Sequence, residues 1–377
     1  MLLVAEPILG EEEKAALAAV IDDGWITMGD RVRAFEQAFA EAHGARDAVA
    51  LGSCTAGLHL VLLALGLGPG DEVLVPSMTF VATANSVLYT GATPVFVDIE
   101  GVELPLISLS DAAAKCTERT KAVILVHYAG YLPDREAWRD FAKSRGLLLI
   151  EDAAHAAGLP QAGRIGDAAV FSFYGNKNMT TAEGGMVFAE DGALLDTVRQ
   201  LRAHGMTSGA RQRLTGHASG YDVTMLGFNH RMDELRAAIG LVQLARLPAW
   251  NAKRRDLAAR YRRQLARDCA GIVMPFAEPR PSAHHILPVL LPAGIERQRL
   301  ADDLRGDGVQ TSVHYAPVHN FTFYRERFPG VSLPRTEEFA RRTLSLPLHP
   351  NMGTDDVEAV TRALARALAH QREDVPQ

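Results

Sequence analysis

The sequence is poor in cysteine and has no excess of basic residues, and each deficit argues against a class of protein. Its three cysteines, Cys54, Cys116 and Cys269, form no CxxC pair, which disfavours a disulfide framework or a zinc site and fits a reducing cytoplasm. Lys and Arg total 39 against 45 Asp and Glu, a net charge of −6, which argues against a nucleic-acid-binding surface. We therefore expect neither a metal site nor a nucleic-acid partner.

Long apolar runs are also missing. None approaches the ~20 residues that a membrane helix needs. The opening stretch, MLLVAEPILGEEEK, has no basic region and reaches acidic residues quickly, which is unlike a signal peptide. Hydrophobic residues make up 47% and charged residues 22%, as in soluble globular proteins. We expect a soluble, cytoplasmic protein with no membrane segment.

Seven short apolar runs predict the strands of one sheet. They cover residues 47–51, 72–76, 94–98, 122–126, 147–151, 168–173 and 185–189. Their near-continuous apolarity is typical of strands that are buried on both faces. Amphipathic segments lie between them, which predicts a three-layer α/β fold with a mostly parallel sheet and helices on both faces. The last two runs are closer together, so we expect one antiparallel strand or a tight turn there.

The pattern changes towards the C-terminus. Residues 233–268 are helical in pattern and rich in arginine, 285–291 resemble a short strand, and 354–370 form an amphipathic pattern that begins at Thr354 as N-cap. We predict a large domain over residues 1–245 and a smaller α+β domain over residues 246–377.

Ligands of parallel sheets bind at the carboxyl ends of the strands, so the residues that follow each run are the candidates for a site. The first run is followed by GSCTAG, residues 52–57, at the start of a predicted helix. Free backbone N–H groups and the helix dipole favour an anion such as phosphate there, although Ser53 or Thr55 could equally be a simple N-cap. The stretch has neither GxGxxG nor a Walker lysine, so NAD and ATP gain no support.

Two further strand ends carry polar residues. Asp152 ends the fifth run and His155 follows three residues later. The carboxylate could face a cationic ligand nitrogen or cap the next helix, and the histidine could address the same ligand or simply pack. The sixth run leads into FSFYGNKNMTTAEGGMV, in which Ser172 precedes Lys177; a solvated loop lysine is the alternative. An anion cradle, a carboxylate and a lysine together match pyridoxal 5′-phosphate (PLP).

Longer blocks carry a resemblance to a known family. They are SCTAGLHLVLLALGLGPGDEVLVPSMTF, EDAAHAAG, FSFYGNKNMTTAEGGMV, LGFNHRMDELRAAIGLVQL, HYAPVHNFTFY and LPRTEEFARRTLSLPLHPNM. In this order they resemble the DegT/DnrJ/EryC1/StrS family of sugar aminotransferases over essentially the whole chain. The resemblance implies the aspartate aminotransferase fold (PLP transferase fold type I), PLP as cofactor, and a homodimer with shared active sites.

The resemblance also implies roles for matching residues. Lys177 falls where the family forms its Schiff base, Asp152 where a carboxylate pairs with the pyridine nitrogen, and His155 where a flat side chain stacks on the ring. The other implied positions are Thr55, Ala56 and Ser172 at the phosphate, Asn229 or its competitor Arg231 at the neighbouring subunit's phosphate, Phe80 beside the ring, and Tyr315 and His319 in the substrate pocket. Residues 174–176 depart from the His-Ala-Thr of many members, which concerns pocket shape.

The expected activity is transfer of an amino group, usually from glutamate in this family, to a keto-sugar on a nucleoside diphosphate. Family members with histidine at the lysine position are dehydratases, so Lys177 argues against that activity. The alternatives are a free keto-sugar or keto-cyclitol as substrate, a non-catalytic PLP-binding regulator, and an NAD-dependent sugar enzyme. The last would need a glycine-rich fingerprint that residues 52–57 lack.

Overall fold

The computed structural model describes residues 1–207, 220–277 and 280–373. The strands in these ranges are β1 (Val49–Leu51), β2 (Glu72–Pro76), β3 (Thr93–Val97), β4 (Ile99–Gly101), β5 (Leu104–Ile107), β6 (Thr120–Val126), β7 (Leu148–Asp152), β8 (Ala168–Ser172), β9 (Gly185–Ala189), β10 (Leu287–Leu290) and β11 (Thr343–Leu346). The helices are α1 (Glu11–Asp23), α2 (Asp30–Ala42), α3 (Cys54–Ala64), α4 (Ala82–Tyr89), α5 (Leu109–Lys115), α6 (Arg135–Arg145), α7 (Gly192–Leu201), α8 (Glu234–Asp268), α9 (Arg297–Gly306), α10 (Thr322–Arg327), α11 (Pro334–Arg342) and α12 (Thr354–Glu373).

The central sheet has seven strands in the order β1-β9-β8-β7-β6-β2-β3. All seven predicted runs are strands of this sheet, with ends that move by no more than two residues. Strand β9 is antiparallel to both β1 and β8, and the other pairs are parallel. The predicted mostly parallel seven-stranded sheet is therefore confirmed, and of the two alternatives for its last two runs the antiparallel strand is the one observed.

Helices cover both faces of this sheet, because successive strand residues point to opposite sides. In β1, Val49 and Leu51 pack in one apolar cluster with α3 and α7, whereas Ala50 packs in another with α2 and α8. In β6, Ile124 joins the first cluster and Val123 packs with α5 and α6. The three-layer arrangement follows from these buried faces.

The C-terminal part has a core of its own, which supports the proposed smaller unit. Residues of α8, α9, α12, β10 and β11 form this apolar cluster, and β10 pairs with β11. The proposed boundary at 245/246 lies inside the 35-residue helix α8. Leu2 pairs with Val309, so the first residues of the chain join this C-terminal part. Helix α8 begins where Asp233 accepts a hydrogen bond from the N–H of Arg236.

Short elements were missed by sequence reasoning. The hairpin β4–β5 and strand β11 contain only three or four residues each, too few for a periodic pattern to develop. None of the helices in the described ranges has the length and apolarity needed to cross a membrane.

Candidate active site

The carboxyl ends of β1, β7 and β8 open onto one cavity of about 560 Å³. Eight of the residues predicted from the sequence line this cavity, namely Ser53, Thr55, Phe80, Asp152, His155, Ser172, Lys177 and Tyr315. They come from segments up to 262 residues apart in sequence. The tertiary structure thus brings most of the predicted site together.

The N-terminus of α3 forms one wall of the cavity. Ser53 is the N-cap of this helix, because its hydroxyl accepts the N–H of Ala56, while its carbonyl accepts that of Gly57. The N–H groups of Cys54 and Thr55 have no acceptor among the residues that the structure describes. The capping alternative therefore holds for Ser53, and the same helix end still presents unused donors to an anion.

Asp152 ends β7 and is only 6% exposed. One carboxylate oxygen accepts the hydroxyl proton of Thr83 at 2.7 Å, and the other accepts the N–H of Ala154 at 3.2 Å. Turns rather than a helix follow Asp152, so the alternative that it caps a following helix is wrong. The carboxylate is held on the cavity wall, where it can face a cationic nitrogen.

His155 lies beside Asp152 and contacts Tyr315. The N–H of Ala129 points at His155 Nδ1 at 3.3 Å, and His155 Nε2 is 2.9 Å from the hydroxyl oxygen of Tyr315. Burial lowers the pKa of His155 well below its ordinary value and raises that of Tyr315, so both groups are neutral. Because Nδ1 is an acceptor, the ring proton lies on Nε2. The Tyr315 hydroxyl accepts that proton and can donate its own into the cavity.

Lys177 follows β8 on a turn closed by its own N–H and the carbonyl of Tyr174. Its side chain points into the cavity, so the alternative of a solvated loop lysine is wrong. Burial lowers the pKa of its amine to about 8, an effect that the Cys54 thiol and Asp152 partly oppose. A buried amine with a lowered pKa is the form in which lysine acts as a nucleophile or base.

The connection from β8 to β9 lets the chain approach α3 closely. Its left-handed residue is Ala182, with φ of 67°, and neither Gly184 nor Gly185 has a positive φ. A Cβ on Gly185 would lie 2.6 Å from the backbone N of Cys54. This glycine is therefore required by close packing against the start of α3, beside the unused N–H groups.

Four predicted residues do not line the cavity. Ala56 is buried behind it in α3; Asn229 is exposed; and the backbone of Arg231 pairs with Leu51 at the end of β1. His319 was expected in the substrate pocket, but it is buried elsewhere. Its ring nitrogens contact Ser77 and Glu337, because the turn that carries it packs on the end of β2.

Other lining residues were missed, above all His285 and His314. His314 precedes the predicted Tyr315, and its pKa is lowered to about 4 by burial and by Lys177. His285 lies at the start of the predicted strand-like piece 285–291. Because His285 lies at the start of that piece and not after its end, the rule of polar residues that follow a strand does not reach it. In the described part of the chain, no three His, Cys, Asp or Glu side chains are arranged to hold a metal ion.

A cavity lysine, a buried carboxylate and a helix N-terminus at one edge of a mostly parallel seven-stranded sheet define the class of PLP-dependent transferases of fold type I. The chain belongs to the DegT/DnrJ/EryC1/StrS aminotransferase family, whose model matches residues 7–365. This agrees with the resemblance found in the sequence motifs.

Solved structures of aminotransferases are similar over nearly the whole chain. The aminotransferase TlmJ from Streptoalloteichus hindustanus is 36% identical, with 99% of this chain and 100% of that chain covered and a TM-score of 0.90. Helicobacter pylori PseC, an aminotransferase involved in the biosynthesis of pseudoaminic acid, is 29% identical, with 98% of this chain and 99% of that chain covered and a TM-score of 0.91. DesI, solved in the presence of its TDP-sugar product, is 33% identical, with 99% of this chain and 94% of that chain covered and a TM-score of 0.87.

Other similar structures were solved with PLP or its amino form, pyridoxamine phosphate. The predicted enzyme class, a PLP-dependent sugar aminotransferase, and the predicted cofactor are thereby confirmed.

Proposed function

We propose that this chain transfers an amino group from glutamate to a keto-sugar carried on a nucleoside diphosphate, with PLP held covalently through Lys177. The observation that carries the proposal is one cavity in which Lys177, Asp152 and the unused N–H groups of α3 all meet. The cavity volume of about 560 Å³ lies within the range of small-molecule sites, roughly 300–1,000 Å³.

The residues of the cavity fit each chemical part of PLP. The buried carboxylate of Asp152 would pair with the ring nitrogen, and the neutral ring of His155 would lie against the cofactor ring. The phosphate would take the N–H groups at the start of α3 together with the hydroxyls of Thr55 and Ser172, both of which line the cavity. When bound, PLP supplies an electron sink for the substrate carbon that loses a proton.

Lys177 moves the proton in this scheme. With a pKa of about 8, part of its amine population is uncharged at neutral pH once the substrate has released it. Its Nζ accepts the proton from the substrate carbon and returns it after the electrons have rearranged. Asp152 keeps the ring nitrogen protonated, and the hydroxyl of Tyr315 is available to orient the substrate.

A nucleotide-linked substrate is supported by the TDP-sugar product of DesI, which is 33% identical to this chain. The test uses enzyme loaded with pyridoxamine phosphate and a panel of keto-sugars with and without a nucleoside diphosphate. We expect the visible absorbance of lysine-bound PLP to return only with nucleotide-linked sugars, and glutamate to discharge it again. Turnover of free keto-sugars or cyclitols alone would overturn the substrate assignment.

The role of Lys177 has a direct spectroscopic test. Wild-type protein saturated with PLP should show the visible absorbance of lysine-bound cofactor, and Lys177→Ala should not. Loss of glutamate turnover should accompany the spectral loss, since the same amine both holds the cofactor and moves the proton. An unchanged spectrum in Lys177→Ala would contradict the assignment.

A homodimer with shared sites is part of the proposal. Phe80 and Tyr174 line the cavity but are 59% and 51% exposed. Asn229 is exposed next to the strand end that leads into α3. Exposed aromatic side chains at a site rim support coverage by a second copy, to whose site Asn229 would contribute. We expect light scattering to detect a dimer.

Mixed dimers test the sharing of sites. A dimer of one Lys177→Ala subunit and one Asn229→Ala subunit contains one site in which both residues are native. We therefore expect a mixture of the two variants to be more active than either variant alone. A mixture with no more activity than its components would contradict a shared site.

A further inference from the structure

The amine of Lys177 has a neighbour that the family motifs did not point to. Its Nζ lies 3.5 Å from Nε2 of His285, a residue that lines the cavity and is 3% exposed. Among the residues that the structure describes, His285 is the one hydrogen-bond partner of the Lys177 amine. This distance is at the long limit for a hydrogen bond.

The side chain of Asn178 determines which nitrogen of His285 carries the proton. Its amide nitrogen donates to Oδ1 of Asn251 at 2.8 Å and to the carbonyl of Ala283 at 2.7 Å, which uses both of its hydrogens. Its oxygen lies 2.9 Å from His285 Nδ1 and can only accept. His285 therefore carries its proton on Nδ1.

The surroundings also keep His285 neutral. Its ring centroid is 4.3 Å from that of His155. Burial is the main cause that lowers the pKa of His285 well below its ordinary value, and four neighbouring groups lower it further, namely His155, Lys177, Arg254 and His314. A neutral ring with the proton on Nδ1 has a bare lone pair on Nε2. This lone pair faces the Lys177 amine.

We propose that His285 is a positioning residue for Lys177: its Nε2, aimed by Asn178, accepts a hydrogen bond from the lysine amine and holds it at the cavity wall. The proposal rests on the proposed role of Lys177. Through His285, Asn178 and Asn251 the amine is linked by hydrogen bonds to helix α8. The contact orients Nζ towards the reacting carbon each time the substrate frees it.

Two variants test this proposal. His285→Leu removes the acceptor and puts an apolar side chain in its place, and His285→Gln keeps an acceptor oxygen. The neighbouring His284→Asn is the matched control, because that ring packs edge-on against Tyr131 and does not line the cavity. Asparagine also tolerates its left-handed backbone, with φ of 46°.

The first readout is the pKa of Lys177 in cofactor-free protein, measured from the pH dependence of amine acylation and mass spectrometry of its peptide. We expect His285→Leu to lower this pKa by about one unit, because the ammonium form loses its hydrogen-bond acceptor. His285→Gln and His284→Asn should stay close to wild type. An unchanged pKa in His285→Leu would overturn the proposal.

The second readout needs no variant of His285. Nitrogen NMR of wild-type protein labelled in histidine should find His285 protonated on Nδ1 and bare on Nε2 between pH 6 and 9, and Asn178→Ala should allow both tautomers. A proton on Nε2 in the wild type would refute the argument. With glutamate, His285→Leu should lower kcat about tenfold with little change in KM, and His285→Gln should restore most of it.

The two proposals fail in distinguishable ways. If wild-type protein never shows lysine-bound PLP, the proposed function is wrong, while the pKa and the tautomer still decide the contact. If PLP binds to Lys177 normally but the pKa or the tautomer differs from expectation, only the role of His285 is wrong.

Discussion

Replacing Thr83 by valine removes the hydroxyl that holds Asp152 while keeping the shape of the side chain. Thr83 is fully buried, and its hydroxyl donates to the carboxylate at 2.7 Å. A hydrogen bond to a charged group contributes about 1.5–3 kcal/mol. We therefore expect Thr83→Val to lower the free energy of unfolding at pH 7 by that amount, roughly 10- to 150-fold in the folding equilibrium constant.

The affinity for PLP should fall as well, because in the proposed site a less firmly held Asp152 would pair less often with the ring nitrogen. We expect PLP affinity to fall about tenfold by fluorescence or absorbance titration, equivalent to roughly 1.4 kcal/mol. Thr83→Ser is the matched control, since it keeps the hydroxyl and should retain wild-type affinity. A Thr83→Val protein with wild-type stability in urea and wild-type PLP affinity would refute this account of how Asp152 is held.

Two further predictions concern backbone packing and acid sensitivity. Gly185→Ala places a Cβ 2.6 Å from backbone atoms at the start of α3. We therefore expect urea melts to show a loss of about 1–3 kcal/mol in the free energy of unfolding, and PLP titrations to show weaker binding. Gly192→Ala is the control, because a Cβ there meets open space and should change neither quantity. Burial lowers the pKa of His43 to about 4, so the unfolded chain binds the proton first. The free energy of unfolding should therefore fall from about pH 6.5 towards pH 4, by up to roughly 1.4 kcal/mol per pH unit from this histidine. In urea melts of His43→Gln, the free energy of unfolding should vary less steeply with pH than in the wild type. An equal slope in the two proteins would contradict the lowered pKa of His43.

Sequence reasoning located the strands well because their apolar runs are long and bounded by turn residues. The same reasoning found Asp152 and Lys177, since Asp152 ends one buried strand and Lys177 lies five residues after the end of the next. It missed His285 because it took only the residues that follow a strand as candidates, whereas His285 precedes β10. It placed His319 in the site because a motif records only sequence neighbourhood, whereas the buried contacts with Ser77 and Glu337 come from segments distant in sequence.

The sequence by itself determined the order of strands and helices along the chain, the sheet type and the candidate residues for the cofactor chemistry, because apolar periodicity and strand-end polarity are local properties of the chain. Only the tertiary structure decided which of two readings applied to a given side chain. Asp152 faces the cavity instead of capping a helix, Lys177 is enclosed instead of solvated, and its amine meets His285, 108 residues away. These outcomes depend on long-range packing, which sets burial, hydrogen-bond partners and hence pKa values, and no local pattern encodes them.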